Sequence, residues 1–217
     1  MDKLKLLILI HHPIKSHIDT FKNFTNELSK HNASCLDYTE LYQRLGFQGI
    51  QNFITKYVNE HGINTIIFHY SSAEFDFSLD FLENLRKNVF LVHITGDAEH
   101  YFEVRDQYDA QVMDLVIVNS PFAFAKLKQT GINAMYYLGW FNTDLLKKYE
   151  NMSKNIDVSF VGLITGRNKR SDYINYLAKN GINIKYFGYG SPGGLISTAE
   201  KVKIYNSSKI NLNFSDV

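Results

Sequence analysis

The chain has 217 residues and a hydrophobic fraction of 45%, which is enough for a packed core in one large domain or two small ones. Its formal net charge of +1 excludes a strongly basic nucleic-acid-binding protein on charge alone, so no nucleic-acid partner is expected. Cys35 is the only cysteine, which excludes an internal disulfide, and no apolar run approaches the roughly 20 residues of a transmembrane helix. We therefore predict a cytoplasmic protein without a transmembrane segment.

Strand and helix signals alternate along the chain. The predicted strands are Leu4–Ile10, Thr65–Tyr70, Val89–Ile94, Leu115–Asn119, Ala134–Leu138, Val158–Gly162, Ile184–Gly188 and Ile210–Phe214, with a weaker one near Ala33–Leu36. The predicted helices are Asp19–His31, Ile50–Glu60, Leu79–Lys87, Pro121–Gln129, Lys169–Asn180 and Ala199–Ser207. Most strand segments are short continuous apolar runs, which are typical of strands buried on both faces of a parallel sheet. The alternation predicts an α/β fold.

Turn signals separate these elements. Gly62, Gly131 and Gly181 each follow a predicted helix within a Gly-Ile-Asn sequence, and each is expected to end its helix in the left-handed conformation. Ser120 and Pro121 occupy the positions of an N-cap and a first helical residue. These signals support a repeated βα architecture.

The polar segment Lys148–Ile156 is interpreted as a link between two domains, which comprise residues 1–148 and 149–217. Residues 1–148 carry 14 Lys and Arg against 17 Asp and Glu, whereas residues 149–217 carry 9 against 5. The second domain is therefore the better candidate for binding an anion.

The first candidate site is the turn Gly162–Arg170, with sequence GLITGRNKR, between a predicted strand and a predicted helix. Backbone N–H groups in such a turn face the carboxyl edge of the sheet, where Arg167 or Arg170 could pair with a phosphate. The sequence matches neither the dinucleotide fingerprint nor the P-loop. A solvated basic first turn of the helix is the alternative, although positive charge there opposes the helix dipole.

A glycine-rich loop, Gly188–Gly194, follows the next predicted strand and has the sequence GYGSPGG. Its glycines prevent regular structure and allow a ligand to approach the backbone closely. A flexible connection is the alternative, and the neighbouring arginines favour the ligand-binding interpretation.

In the first domain, Asp97 follows the predicted strand Val89–Ile94 at its carboxyl end, where ligands of open α/β sheets bind. Asp97 is a candidate general base or ligand of a sugar hydroxyl, and the alternative is an N-cap of the next helix. All eight histidines lie in the first hundred residues, but their spacing resembles no known metal-ligand pattern. No metal site is predicted.

The motifs DVSFVG, the basic turn, YFGYG and IYNSSKINLNF together resemble the C-terminal domain of glycosyltransferases related to the spore-maturation protein CgeB. The segment VNSPFAFAKLKQTGINAMYYLG is similar to part of the first domain of that family. The resemblance implies a GT-B fold, which has two facing Rossmann-like domains with the active site between them. It also implies that the chain ends within the second domain, because the family continues past the Asn-Leu-Asn-Phe strand.

By this resemblance the second domain would bind a nucleotide-diphosphate sugar, and the first would bind a glycan, lipid-linked or protein acceptor, with Asp97 as candidate base. The residues that the resemblance places near the donor are Gly162, Arg167, Arg170, Gly188, Gly190, Ser207, Lys209 and Asn211. No cofactor beyond the donor is implied. A peripheral membrane contact is compatible with this interpretation, and the strand edge at Ile210–Phe214 suggests a homo-oligomer. The alternative function is a non-catalytic two-lobed protein that binds sugar or nucleotide, or a regulatory scaffold.

Overall fold

A computed structural model describes residues 3–10, 28, 30–70, 77–95, 101–137, 143–164 and 168–214. The chain forms two compact units: the described residues of unit 1 lie between 3 and 137, and those of unit 2 lie between 143 and 214. The predicted roles of an acceptor-side and a donor-side domain stay predictions.

Unit 1 is built on a parallel sheet. Its six strands are β1 (Leu6–Ile10), β2 (Ala33–Asp37), β3 (Thr65–Tyr70), β4 (Phe90–Thr95), β5 (Leu115–Val118) and β6 (Ala134–Tyr136). They lie in the order β2-β1-β3-β4-β5-β6, and every neighbouring pair is parallel. This arrangement confirms the predicted Rossmann-like α/β class.

The helices of unit 1 cover the sheet. They are α1 (Tyr38–His61), α2 (Leu79–Arg86), a π-helical segment (Phe102–Asp106) that continues into the short α3 (Gln107–Asp109), and α4 (Pro121–Gln129). All five residues of β1 are at most 5% exposed, so both faces of this strand are buried. Burial of a leucine or isoleucine side chain contributes about 1.5–3 kcal/mol, which explains why the sequence of β1 is a continuous apolar run.

The predicted turn residues have the expected conformations. Gly62, Gly131 and Gly181 have φ angles of 61°, 78° and 75°, which confirms the three helix-ending turns. Ser120 is the N-cap of α4, where its hydroxyl accepts a hydrogen bond from the backbone N–H of Ala123, and Pro121 begins the helix. These features depend on a few neighbouring residues, and therefore they are visible in the sequence.

Two helical regions differ from the prediction. Helix α1 begins at Tyr38 rather than Ile50, because Asp37 caps it and its chain continues through a kink at Gly46, which has a φ of 70°. The segment Phe102–Asp109 was not predicted as helix. The predicted helix Asp19–His31 lies largely outside the described residues.

Unit 2 contains a second parallel sheet, with strands β7 (Ile156–Val161), β8 (Ile184–Phe187) and β9 (Ser208–Asn211) in the order β8-β7-β9. Helix α5 (Asn168–Lys179) connects β7 to β8, and α6 (Thr198–Ser207) connects β8 to β9. The core contains Phe160, Ile164 and Ile174. Strand β9 begins before the predicted Ile210–Phe214, and its proposed role in oligomer formation stays a prediction.

Candidate functional site

The order of strands in unit 2 places a topological switch point beside its central strand, and we call the carboxyl edge of the sheet between β7 and β9 the crevice. From the central strand β7 the chain crosses to β8 on one side and then returns to β9 on the other. The chain therefore leaves the carboxyl end of β7 toward β8, whereas β9 lies on the other side of β7. Ligands of open α/β sheets bind at this kind of switch point.

Arg170 connects the two loops at the switch point. It lies in the first turn of α5, and its Nη1 donates a hydrogen bond to the carbonyl oxygen of Leu163, at 2.9 Å. Its Nη2 donates to the carbonyl oxygen of Phe214, at 3.3 Å, so that one guanidinium contacts the loop after β7 and the segment after β9. The guanidinium carbon lies 6.0 Å from the centre of the Phe160 ring. The structure thus places this predicted site residue in the crevice.

Gly162 and Gly188 are in direct backbone contact at the ends of β7 and β8. A Cβ atom on Gly188, which has a φ of +124°, would lie 2.1 Å from the carbonyl oxygen of Gly162. The N–H of Gly162 donates to the carbonyl oxygen of Phe187 at 2.9 Å, and the N–H of Ile164 donates to that of Tyr189 at 3.1 Å. The glycines therefore allow two chain segments to lie against each other beside the crevice.

The loop Gly188–Gly194 is closed by its own hydrogen bonds. The N–H of Gly188 donates to the carbonyl oxygen of Gly194 at 2.7 Å, and the hydroxyl of Ser191 donates to the carbonyl oxygen of Gly188 at 2.8 Å. Gly190 lies in the same loop with a φ of 83°. These bonds satisfy backbone groups within the loop, and its predicted role in ligand binding stays a prediction.

Four polar side chains donate hydrogen bonds to carbonyl oxygens in the last two turns of α6. Asn206 donates to Val202 at 2.9 Å, Ser207 to Lys203 at 2.7 Å, Ser208 to Ile204 at 2.6 Å, and Asn211 to Tyr205 at 3.2 Å. The last four carbonyl oxygens of a helix have no partner within it, so the bonds of Ser208 to Ile204 and of Asn211 to Tyr205 stabilise the end of α6. The polar sequence after Tyr205 thus has a structural role, and the donor-binding roles of Ser207 and Asn211 stay predictions.

Lys209 lies near the amino end of β9, at the opposite end of the strand from the crevice. Its ammonium forms an ion pair with Asp157 of β7, at 2.5 Å, and both side chains are about half exposed. An exposed pair of this kind contributes little to stability. The structure therefore brings together Gly162, Arg170 and Gly188, but it places Lys209 away from them.

Asp97 and Arg167 lie outside the described residues. The strand that precedes Asp97, β4, ends with the fully buried side chains of His93 and Thr95. Burial lowers the pKa of His93 well below its ordinary value, and the positive charge of Arg105 and the nearby His69 lower it further. His93 is therefore a neutral imidazole at physiological pH.

An ion pair that the sequence did not predict is buried beside this strand. In the π-helical segment, Nε of Arg105 lies 2.7 Å from Oδ1 of Asp106, and both side chains are inaccessible to solvent. Burial raises the pKa of Asp106, whereas the hydrogen bond and charge of Arg105 lower it. Arg105 also lies over the ring of Tyr101, at 4.8 Å. Charged residues in a helical segment normally predict an exposed face, so no sequence signal identified this pair.

Two further properties concern the described part of the chain only. None of its helices combines the length and the apolar character that are needed to cross a membrane. Its histidine, cysteine, aspartate and glutamate side chains form no group that could hold a metal ion.

Comparisons with known proteins give a likeness in fold. No protein-family model matches the chain, and no curated protein matches it. Among solved structures it is similar to a chain of the "Glycosylation Associate Protein (Gap123) complex from Streptococcus agalactiae", with a TM-score of 0.47 and 13% identity. The match covers 77% of this chain and 41% of the other, so this chain spans about two fifths of the length of its neighbour.

The fold and the crevice define a Rossmann-like α/β protein with a switch-point crevice in its second sheet.

Proposed function

We propose that the switch-point crevice of unit 2 binds the diphosphate of a nucleotide-diphosphate sugar, as part of a CgeB-related glycosyltransferase of the GT-B type. The observation that best supports this proposal is the position of Arg170, whose guanidinium contacts both loops of the crevice. Gly162 and Gly188 lie at the same edge of the sheet.

The two carbonyl oxygens fix the orientation of the Arg170 guanidinium. An oriented guanidinium binds phosphate oxygens by charge-assisted hydrogen bonds, which are roughly twice as strong as neutral ones. The N-terminus of α5 adds the partial positive charge of its dipole. Together these groups suit a ligand with two linked phosphates.

The proposed reaction breaks the bond between the sugar and the diphosphate and forms a bond to an acceptor hydroxyl. Arg170 stabilises the negative charge that develops on the leaving diphosphate. In an inverting reaction Asp97 takes the proton of the acceptor hydroxyl. The acceptor in this proposal is a glycan, a lipid-linked sugar or a protein.

Calorimetric titration of the full chain with UDP, GDP, CDP and dTDP tests the proposal. We expect one nucleotide to bind, and Arg170→Ala to weaken its binding by about tenfold to a hundredfold, because a charge-assisted hydrogen bond is lost. Lys179→Ala is the matched control, since Lys179 is an exposed cation in the last turn of the same helix. Circular dichroism establishes that each variant is folded.

Arg170→Lys separates charge from geometry, because lysine keeps the charge but cannot form the same two-pronged contact. We expect an affinity between those of the wild-type and alanine proteins. The proposal is wrong if the wild-type protein binds none of the four nucleotides at millimolar concentration. Equal affinities of the wild-type, Arg170→Ala and Lys179→Ala proteins would exclude the assignment of Arg170.

A further inference from the structure

Unit 1 has a cavity that the proposed donor site does not use. It lies between the helical segment Phe102–Asp109 and α4, and its volume is about 520 Å³. Ligand pockets are typically about 300–1,000 Å³. Gln111 and Ile132 line the cavity and precede β5 and β6 respectively, so it opens toward the amino ends of these strands.

The positive charge that lines this cavity is paired with a nearby carboxylate. Lys126 is the only charged residue among the described residues that line it, and its ammonium forms an ion pair with the carboxylate of Glu103. The same ammonium lies over the rings of Phe102 and Phe122, at 5.3 and 4.6 Å. A phosphate or carboxylate ligand would have to compete with Glu103 for Lys126. The cavity therefore favours an uncharged ligand.

Three glutamine amides supply most of its hydrogen-bonding groups. Nε2 of Gln107 donates to the carbonyl oxygen of Glu103 at 2.6 Å, and Nε2 of Gln111 donates to that of Gln107 at 3.3 Å. Each of these bonds uses one N–H, holds the amide in place and leaves its Oε1 as an acceptor. Gln129 adds a third amide at the end of α4. Amides offer a donor and an acceptor side by side, which matches the hydroxyl group of a sugar.

The floor of the cavity is apolar. Phe102 and Leu127 are 4% and 2% exposed, and Ile132 is partly buried beside them. An apolar floor with an amide rim matches a molecule that has C–H faces and several hydroxyl groups. We propose that this cavity binds a neutral saccharide. The site is in unit 1, and its ligand does not depend on whether unit 2 binds a nucleotide.

Nuclear magnetic resonance of the full chain labelled with ¹⁵N tests the proposal directly, because side-chain amides give resonances of their own. The probes are glucose, galactose, N-acetylglucosamine and N,N′-diacetylchitobiose. We expect at least one to cause saturable shifts of the Gln107, Gln111 and Gln129 amide signals. Glucose 6-phosphate, which adds charge to one of the probes, should bind more weakly than glucose.

The double variant Gln111→Leu/Gln129→Leu removes two exposed amides and keeps the size of the side chains. We expect it to weaken saccharide binding by about tenfold or more, since two hydrogen bonds to the ligand are lost. Gln48→Leu is the matched control, because Gln48 is an exposed glutamine of α1 that contacts Asn52 and does not line the cavity. It should leave the affinity unchanged.

Three outcomes would overturn the proposal: no saccharide shifts these amides at the solubility limit, the double variant binds as the wild type does, or glucose 6-phosphate binds more tightly than glucose. The readout also separates this proposal from the donor site. Loss of nucleotide binding in Arg170→Ala should leave the glutamine shifts with saccharide intact, and failure of the saccharide should leave nucleotide binding intact.

Discussion

Replacement of Gly188 by alanine tests the backbone contact between Gly162 and Gly188. The new Cβ would lie 2.1 Å from the carbonyl oxygen and 2.7 Å from the carbonyl carbon of Gly162, whereas ordinary contacts are 3.4–4 Å. The φ of +124° adds strain, because residues that carry a side chain rarely adopt this backbone conformation. Backbone strain of about 1–3 kcal/mol and overpacking of about 1–3 kcal/mol give an expected loss of stability of about 4 kcal/mol.

Gly194→Ala is the matched control within the same loop. Gly194 has a φ of +64°, but a Cβ there would meet no atom within 4 Å. Its expected cost is therefore only that of the left-handed conformation, about 1–2 kcal/mol. The difference between the two variants measures the collision with Gly162.

Hydrogen exchange of the Gly162 amide is the most local assay, since this N–H bonds to the carbonyl oxygen of Phe187 across the two strands. We expect Gly188→Ala to accelerate its exchange by about two orders of magnitude relative to Gly194→Ala, which corresponds to about 3 kcal/mol. Equal exchange rates in the two variants would refute the argument, because they would show that the loop moves away from Gly162 at little cost.

Three other predictions concern unit 1. His93 is held neutral in the folded state, whereas the histidine of the unfolded chain takes up a proton near pH 6.5. As the pH decreases from 6.5, the free energy of unfolding should therefore decrease by up to about 1.4 kcal/mol per pH unit. His93→Gln should show a shallower decline in urea unfolding between pH 6.5 and pH 5.5, and an identical slope would contradict the burial argument. Arg105→Ala should lower the free energy of unfolding by about 3–5 kcal/mol, because it leaves the Asp106 carboxyl buried without its partner in the ion pair. The double variant Arg105→Met/Asp106→Leu should recover part of this loss in urea unfolding. Equal losses in the single and double variants would show that the unpaired carboxyl is not the cause of the lost stability. Asp97→Asn should abolish sugar transfer while leaving nucleotide affinity nearly intact, and unchanged turnover would exclude Asp97 as the base.

The parts of the fold that depend on neighbouring residues could be predicted from the sequence. The run Leu6–Ile10 is apolar because the strand is buried on both faces, and Gly62 follows its helix because only glycine adopts a φ of 61° without cost. Ser120 and Pro121 marked the start of α4 for similarly local reasons.

The parts that depend on distant contacts could not be predicted in the same way. Arg105 and Asp106 are buried together, and their pattern of charge does not distinguish this from an exposed helix. In the crevice, Gly162, Arg170 and Gly188 follow the ends of strands, which the sequence indicated. The position of Lys209 was not apparent, because β9 begins at Ser208 and the residue therefore lies near the opposite end of the strand.

The end of α6 has a mechanical consequence. The helix ends at Ser207 and β9 begins at Ser208, with no residue between them, while Ser208 and Asn211 of the strand also bond to the helix backbone. We therefore expect helix and strand to move together. Because Phe214 follows this strand closely and its carbonyl oxygen contacts Arg170, a displacement of α6 changes the geometry of the crevice without any change in the residues that line it.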